Sequence, residues 1–243
     1  MIAIILAGGL GTRLRAAVND RPKVLAPVAG NPFLEYVLTF LSSQGIRRVI
    51  LSIGYLGEQV KEFAGNGQRW DLDLSYSEEH TPLGTGGALR LASQGLDEPF
   101  FALNGDTLFL VDLARLYNAH RDWGALATIA LLPVEESHER GCVVLDMSGK
   151  ILSFDEKPVH AGPALVNGGV YVLEPEALDS VPDGQRVSIE RQVFPRLASE
   201  GRLYGQVQHS YFSDIGTPEN LAAFERDVLA KRLPQIVRNM PCD

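Results

Sequence analysis

The stretch IAIILAGGLGTR, residues 2–13, decides the fold of this 243-residue chain. Its first five residues form a continuous apolar run, which is typical of a β-strand buried on both faces of a parallel sheet. The run ends in a turn that contains Gly8, Gly9 and Gly11. Because glycine adopts positive φ readily and has no side chain, such a turn lets the backbone approach a ligand closely, and its N–H groups can surround an anion. We therefore predict a buried first strand followed by an anion-binding turn.

Beyond this strand, apolar runs and helical patterns alternate along the chain. Helical spacing of apolar residues predicts helices over residues 33–44, 55–64, 84–93 and 112–121. Strand-like runs lie before and between them, at residues 47–53, 72–77, 99–103 and 125–132. This alternation predicts an α/β, doubly wound, Rossmann-like core, in which a mostly parallel sheet has helices on both faces.

The pattern changes from residue 141 onwards. Three strand-like runs follow with few helices between them, at residues 142–146, 151–155 and 164–173, which predicts a small antiparallel sub-domain. Helical patterns return over residues 188–198 and 217–231. We expect the tail, residues 233–243, to pack loosely.

Composition narrows the classes of function. A hydrophobic content of 45% with 21% charged residues is typical of a globular protein. The net charge of −8 and the scattered basic residues argue against nucleic-acid binding. No apolar run approaches the roughly 20 residues of a membrane span, and residues 1–6 lack the basic flank of a signal peptide. Two cysteines, Cys142 and Cys242, predict free thiols in a reducing cytoplasm.

Two cations follow the glycine turn, Arg13 and then Lys23 between prolines of the segment RPKVLAP. The P-loop motif is absent, and the dinucleotide motif G-x-G-x-x-G fails because Leu14 stands at its third glycine. An arginine grips phosphate oxygens with a planar fork and a lysine supplies a point charge. A plain turn with two solvated cations is the alternative, but the spacing from the glycines favours a phosphate site.

The motif LAGGLGTRLR…RPKVLAP resembles the signature of the sugar-1-phosphate nucleotidyltransferases, and the likeness extends over nearly the whole chain. These enzymes join a nucleoside triphosphate to a sugar 1-phosphate and release pyrophosphate. The resemblance implies that Arg13 and Lys23 are catalytic cations; Val24 stands where many members have a second proline. It also implies that the nucleotide contacts Leu6, Ala7, Gly8, Gly9, Gly11 and Thr12.

A pair of acidic residues lies in two further motifs of the family. Asp106 ends the run FFALNGDT, where an Asn-Gly-Asp turn is the simpler interpretation. A triphosphate needs Mg²⁺, which proteins hold with one or two carboxylates. The resemblance assigns Asp106 to catalysis and to Mg²⁺, and it assigns Asp214 of DIGTPEN as the second metal ligand. Asp214 could instead be only a turn residue before a helix capped by Thr217.

The acceptor side resembles the family in SFDEKP and in LVNGGVYVL. There Lys157 is implied as a catalytic cation that neutralises the sugar phosphate, while carboxylate and amide groups bond sugar hydroxyls. The implied substrate-binding residues are Gly141, Glu156, Lys157, Asn167 and Gly168. In SIERQVFP, which resembles a further family motif, we interpret Glu190 as mainly structural.

The base would lie against the segment SEEHTPLGTGGAL, with Glu79, Gly84 and Thr85 as nucleotide-binding residues. Guanine presents two adjacent donors, N1–H and N2–H₂, which one carboxylate can accept, whereas uracil and thymine suit an amide better. An acidic residue five positions before Gly84 therefore favours guanine. A solvated pair of Glu78 and Glu79 is the alternative.

Within the family, the likeness is to guanylyltransferases for D-glycero-α-D-manno-heptose 1-phosphate, although Leu110 stands where that branch often has Asp. The implied substrates are GTP and a sugar 1-phosphate, with Mg²⁺ as cofactor. GTP with mannose 1-phosphate, UTP or dTTP with a hexose 1-phosphate, and a non-catalytic nucleotide-sugar sensor stay open. So does the oligomeric state, monomer or homodimer.

We expect a single domain over residues 1–243. Residues 1–140 would mainly form the nucleotide-binding core, residues 141–216 the sugar-phosphate-binding part, and residues 217–243 the C-terminal helix and tail.

Overall fold

The computed structural model describes residues 1–9, 11, 14, 20–137, 141–156 and 162–240. Its strands in these ranges are β1 (Ile2–Leu6), β2 (Pro27–Val28), β3 (Asn31–Pro32), β4 (Arg48–Ile53), β5 (Asp73–Glu78), β6 (Phe100–Asn104), β7 (Thr107–Phe109), β8 (Ala127–Val134), β9 (Cys142–Leu145), β10 (Ile151–Asp155), β11 (Ala164–Leu173), β12 (Leu203–Val207) and β13 (Phe212–Asp214). The helices are α1 (Phe33–Ser43), α2 (Gly57–Ala64), α3 (Gly84–Ala92), α4 (Leu113–Trp123), α5 (Phe194–Ser199), α6 (Pro218–Leu229) and α7 (Pro234–Val237).

The main sheet has nine strands, with β1 near its centre. Its order is β10-β9-β11-β6-β1-β4-β5, and β8 pairs with β11 and with β12. The strands β5, β4, β1 and β6 form one parallel block. When the remaining pairings are followed across the sheet, seven strands run in one direction and only β10 and β11 run the other way. The predicted α/β fold with a mostly parallel sheet is confirmed.

The three strands predicted between residues 141 and 173, β9, β10 and β11, pair antiparallel with their neighbours, as the sequence predicts. β9 pairs antiparallel with β10 and with β11, and β11 pairs antiparallel with β6. These strands therefore extend the main sheet beside β6, and residues 142–173 share one hydrogen-bonded framework with the strands that precede them.

Two apolar layers cover the sheet, one on each face. Successive residues of β1 alternate between them: Ala3 and Ile5 join one layer, and Ile4 joins the other. Helices α1, α4 and α6 pack on the first face, and α3 and α5 pack on the second. Because β1 is covered on both sides, its apolar run is continuous and not alternating.

The structure differs from the predicted elements in several places, among them the short paired strands β2 and β3, which were not predicted. The strands β7 and β12 were not predicted, because β7 has only three residues and β12 contains an internal glycine. The helix predicted over residues 188–198 is a π-helix, Ile189–Val193, followed by α5. The expectation of a loose tail is wrong for its described part, since Leu233 and Ile236 at the start of α7 are buried in the core.

No helix within the described ranges is long and apolar enough to cross a membrane. Cys142 forms no disulfide with any described residue, and Cys242 lies outside the described residues. The cytoplasmic location stays a prediction.

His120 of α4 is buried and gives the fold a pH dependence. Its Nδ1 lies 2.9 Å from Thr128 Oγ1, and Glu174 Oε1 lies 3.4 Å from its Nε2. Burial lowers the pKa of His120 from 6.5 to about 4, and the charge of Arg121 adds to this effect. The unfolded chain therefore binds more protons than the folded chain between these values, so stability is lost as pH falls from 6.5 to 4.

We expect this residue to account for about 3 kcal/mol of that loss. Urea unfolding of the wild type and of His120→Gln at several pH values measures it, because the variant lacks the titrating group. His209→Gln, at an exposed position, is the control and should keep the wild-type pH dependence. Parallel profiles for the wild type and His120→Gln would contradict the assignment.

Candidate active site

A cleft of about 460 Å³ opens at the carboxyl ends of the parallel strands. This is where open α/β sheets bind ligands. The cleft contains the glycine turn after β1, the ends of β4 and β6, and the N-terminus of α3. Its lining residues are Leu6, Ala7, Gly8, Gly9, Gly11, Lys23, Val24, Ser52, Glu79, Pro82, Gly84, Thr85, Ala88, Asn104, Gly105, Asp106 and Arg186.

The glycine turn packs against the opposite wall of the cleft. A Cβ at Gly8 would lie 2.5 Å from Glu79 Oε1, and one at Gly11 would lie 3.2 Å from Lys23 Cβ. No atom of the residues that the structure describes lies within 4 Å of a Cβ at Gly9. The turn is therefore narrow where it meets Glu79 and Lys23, and open at Gly9, where a ligand can approach the backbone.

Lys23 and Asp106 form an ion pair in the floor of this cleft. The Lys23 Nζ donates a hydrogen bond to Asp106 Oδ2; the Lys23 side chain is largely buried, and the Asp106 side chain is partly buried. Lys23 begins a 3₁₀ turn, and Asp106 follows β6 in the turn that leads into β7. The fold thus joins two residues that are 83 positions apart in the chain.

Three residues assigned from the family resemblance lie outside the described residues: Thr12, Arg13 and Lys157. Their predicted roles stay predictions. Among the described lining residues, the cations are Lys23 and Arg186.

Asp214 lies next to Asp106 across a short antiparallel pair. β13 pairs with β7 so that Asp214 is opposite Thr107, and the Ile215 N–H donates to the Asp106 carbonyl at 2.9 Å. The Asp214 Oδ1 accepts hydrogen bonds from the Gly216 N–H and from Asn220 Nδ2. Asp214 therefore orders the start of α6, as the simpler interpretation predicted, and also lies beside Asp106.

This donor set fits a divalent cation held jointly by protein and substrate. No group of three or more His, Cys, Asp or Glu residues in the described ranges could hold a metal by itself. Asp106 and Asp214 are nevertheless neighbours along the backbone, and one or two carboxylates are what such a cation takes from a protein when phosphate oxygens and water complete its shell.

Glu79 faces the cleft, and its neighbour Glu78 does not line it. The Glu79 Oε2 accepts a hydrogen bond from the Leu83 N–H at 2.9 Å, which fixes the carboxylate. Glu78 instead pairs with Lys61 at 3.0 Å. Burial raises the pKa of Glu79, and the bond from Leu83 partly opposes this. Of the two adjacent acids, Glu79 is therefore the one held ready to accept donors from a ligand.

The glycines of the loop from Leu83 to Gly87 pack against the chain at residues 185–187. A Cβ at Gly84, whose φ is +68°, would lie 2.6 Å from the Val187 carbonyl oxygen, and one at Gly87 would lie 2.5 Å from that of Gln185. The same Val187 oxygen accepts hydrogen bonds from the N–H groups of Gly86 and Gly87. These glycines were expected to let a nucleoside lie against the backbone. They also have a second role, because the chain at residues 185–187 occupies the space where their Cβ atoms would be.

We expect Gly84→Ala to be much more destabilising than Gly95→Ala. Both glycines have positive φ, but no described atom lies within 4 Å of a Cβ at Gly95. Left-handed strain of about 1–2 kcal/mol is common to both variants, whereas only the methyl group added at position 84 collides with the backbone of Val187. Thermal unfolding should give a Tm for Gly84→Ala at least ~4 °C below that of Gly95→Ala. Equal losses would show that the contact at Val187 is unimportant.

Thr85 and Glu190 are bound to each other across the same contact. Thr85 Oγ1 donates to Glu190 Oε2 at 2.7 Å and accepts from the Ile189 N–H at 2.9 Å. The Ser188 hydroxyl also donates to Glu190 Oε2 at 2.7 Å. The Thr85 hydroxyl therefore bonds protein, although Thr85 lines the cleft, and the structural interpretation of Glu190 agrees with these contacts.

The predicted acceptor residues lie together beside the cleft. A Cβ at Gly141 would lie 3.2 Å from Glu156 Oε2, and the Asn167 N–H donates to the Gly141 carbonyl at 2.9 Å. The Asn167 side chain accepts from the Gly169 N–H and donates to the Tyr171 hydroxyl. Gly168 is buried against the Phe109 ring, which leaves no space for a side chain. The fold thus brings Gly141, Glu156 and Asn167 into one group, and Gly168 packs next to this group against Phe109.

Residues 2–231 match the model of the family described as nucleotidyl transferase. The chain belongs to this family. It is 37% identical over 229 residues to the D-glycero-α-D-manno-heptose 1-phosphate guanylyltransferase of Aneurinibacillus thermoaerophilus, covering 94% of this chain and 98% of that protein. It is also 37% identical over 230 residues to the mannose-1-phosphate guanylyltransferase of Mycobacterium tuberculosis, covering 93% of this chain and 64% of that protein.

Solved structures of other proteins show the same architecture. HddC from Yersinia pseudotuberculosis superposes with a TM-score of 0.83 at 29% identity, covering 93% of this chain and 99% of HddC. A second HddC structure, complexed with GMP-PN, superposes with a TM-score of 0.82. The cleft of this nucleotidyl transferase therefore lies in a fold that has been seen with a guanine nucleotide.

Three residues of this nucleotidyl transferase site were not predicted from the sequence. Arg186 lines the cleft, is exposed, and forms no ion pair with any residue the structure describes. Asn104, at the end of β6, also lines the cleft, and its Oδ1 is buried without a hydrogen bond to the described residues. Tyr171 is fully buried behind Asn167. Only Asn104 carries a sequence signal, its place in the motif with Asp106.

Proposed function

We propose that this protein is a guanylyltransferase that transfers GMP from GTP to D-glycero-α-D-manno-heptose 1-phosphate and releases pyrophosphate. The observation that carries the proposal is the Glu79 carboxylate, held in the nucleotide cleft opposite the glycine turn.

The preference for guanine follows from hydrogen-bond complementarity. One Glu79 oxygen already accepts from Leu83, yet each carboxylate oxygen has two lone pairs. The pair of oxygens can therefore accept N1–H and N2–H₂ of guanine side by side. Uracil and thymine offer one donor between two acceptors, and would place a carbonyl oxygen against a carboxylate.

The heptose acceptor is supported by the relatives. A second D-glycero-α-D-manno-heptose 1-phosphate guanylyltransferase, from Campylobacter jejuni, is 35% identical over 92% of this chain. Mannose 1-phosphate is the alternative acceptor, because the mannose enzyme of Mycobacterium tuberculosis has the same identity as the first heptose relative.

The reaction would be a direct in-line displacement. The acceptor's phosphate oxygen attacks the α-phosphorus of GTP, and the bond to pyrophosphate breaks as the new bond forms, so no covalent enzyme intermediate is needed. Catalysis would then consist of positioning and charge neutralisation. Lys23, with Arg13 as a second predicted cation, would take the negative charge that develops on pyrophosphate, and Lys157 would hold the acceptor phosphate.

Asp106 and Asp214 would hold Mg²⁺, which neutralises phosphate oxygens when bound. The ion pair with Lys23 keeps Asp106 oriented, so the Lys23 ammonium and the Asp106 carboxylate are positioned together. Gly141, Glu156 and Asn167 would contact the sugar.

A grid of four nucleoside triphosphates against several sugar 1-phosphates tests the proposal, with pyrophosphate release in the presence of Mg²⁺ as the readout. We expect the highest rate with GTP and the manno-heptose. A higher rate with mannose 1-phosphate would show that mannose 1-phosphate is the acceptor instead of the heptose. A higher rate with UTP or dTTP would overturn the assignment of guanine as the base. GTP binding without turnover for any acceptor would indicate a regulatory protein.

A further inference from the structure

One short segment of the chain, residues 185–194, touches both halves of the site, and we call it the bridging segment. At its start it packs against the base loop, which we define as residues 83–87. The Val187 N–H donates to the Leu83 carbonyl at 2.8 Å, and the Leu83 N–H donates to Glu79. A continuous path of hydrogen bonds therefore leads from the bridging segment to the carboxylate that faces the base.

Glu190 is the junction within this segment. Its Oε2 accepts both the Thr85 hydroxyl of the base loop and the Ser188 hydroxyl of the bridging segment, each at 2.7 Å. It lies in the π-helix Ile189–Val193. Single π turns are rare and are frequently found at functional sites, because the extra residue costs stability.

The other end of the bridging segment packs on the acceptor half. The Phe194 ring lies 5.1 Å from that of Tyr171 and 5.5 Å from that of Phe154. Phe154 in turn lies against Gly141, and the Tyr171 hydroxyl accepts from Asn167. The pKa of Tyr171 is raised, chiefly by burial and next by the charge of Glu190. The bridging segment therefore bonds the base loop through Glu190 and packs behind the acceptor group through Phe194.

We infer that Glu190 is a positioning residue that couples nucleotide binding to acceptor binding. Thr85 ties the base loop to Glu190 and the π turn, and Phe194 at the end of that turn packs behind Asn167, so a nucleotide that holds the base loop in place also holds the packing behind Asn167. Each substrate then binds a site that the other has already ordered, so their affinities rise together. This inference rests on the proposed function of the cleft.

Titration calorimetry with an unreactive nucleotide tests the coupling. In α,β-methylene-GTP the bond that would break is replaced by a carbon bridge, so it can be bound together with the manno-heptose 1-phosphate without turnover. We expect the wild type to bind this analogue at least about 5-fold more tightly when the sugar 1-phosphate is saturating. In Glu190→Ala the factor should fall below about 2-fold, while Glu190→Gln, which keeps an acceptor oxygen, should retain most of it.

Two further variants make the test specific. Thr85→Val removes the hydroxyl link but keeps the shape of the side chain, so it should also lose the coupling even if Glu190→Ala folds poorly. Glu200→Ala, an exposed acid at the end of α5, should leave the coupling unchanged. If the activity grid shows another preferred nucleotide or sugar 1-phosphate, the α,β-methylene analogue of that nucleotide and that sugar 1-phosphate are used instead. An error in the proposed substrates therefore does not affect the measurement of coupling. Coupling below 2-fold in the wild type, or wild-type coupling in Thr85→Val, would overturn the inference.

Discussion

Asp106→Asn is expected to lower kcat by about 10²–10³-fold, the usual effect of removing one electrostatic group from such a site. The variant loses a carboxylate that would hold Mg²⁺, and it leaves the largely buried Lys23 ammonium without its charged partner. Measured turnover at saturating GTP and sugar 1-phosphate, with Mg²⁺ varied, gives the result. The apparent affinity for Mg²⁺ should fall in the same variant.

A double-mutant cycle with Lys23→Met separates the contribution of the Lys23–Asp106 ion pair from the separate contributions of the two side chains. Because the two side chains are hydrogen-bonded, their effects should not add, and the double variant should lose less than the product of the two single losses. Asp97→Asn, at an exposed position remote from the cleft lining, is the matched control. Near-normal turnover of Asp106→Asn would remove Asp106 from the mechanism.

Glu79→Gln is expected to lower kcat/KM for GTP by about 10²–10³-fold. The amide keeps one acceptor but turns an NH₂ group towards the guanine N2 amine, so two charge-assisted hydrogen bonds of about 1.5–3 kcal/mol each are weakened or lost. Activity with UTP should fall much less, because an amide suits the edge of uracil.

Inosine triphosphate (ITP), which lacks the N2 amine, tests whether Glu79 binds that amine. The wild type should prefer GTP over ITP by about 10- to 100-fold, the value of one such bond, and Glu79→Gln should show almost no preference. Glu78→Gln is the control, because Glu78 pairs with Lys61 and does not line the cleft. If Glu79→Gln kept the wild-type ratio of GTP to ITP, Glu79 would not be the residue that recognises guanine.

Local patterns predicted much of the nucleotide half. The apolar run at residues 2–6 could only be a strand covered on both faces, and β1 has those bounds. The glycines after it, Lys23 and Asp106 line one cleft. A parallel sheet brings strand ends to one edge, so residues that end strands meet whatever their separation in the chain.

The acceptor half and the base loop were harder to predict. The sequence motifs correctly grouped Gly141 with Glu156 and Asn167, but they gave no sign that Gly84, Gly86 and Gly87 are small because the bridging segment lies on them. Nor did they mark Arg186, whose place in the cleft depends on how residues 185–187 cross α3. Such contacts join segments about 100 residues apart and leave no periodic signal.

The sequence by itself therefore determined the α/β class, the central strand and the family, because these depend on local periodicity and on motifs of adjacent residues. The tertiary structure alone decided which of two adjacent acids faces the cleft, that Lys23 pairs with Asp106, and that Glu190 bonds Thr85 of the base loop. Those outcomes depend on the distances between side chains from remote segments. Such distances are set by how the helices and strands pack, which no single stretch of the chain specifies.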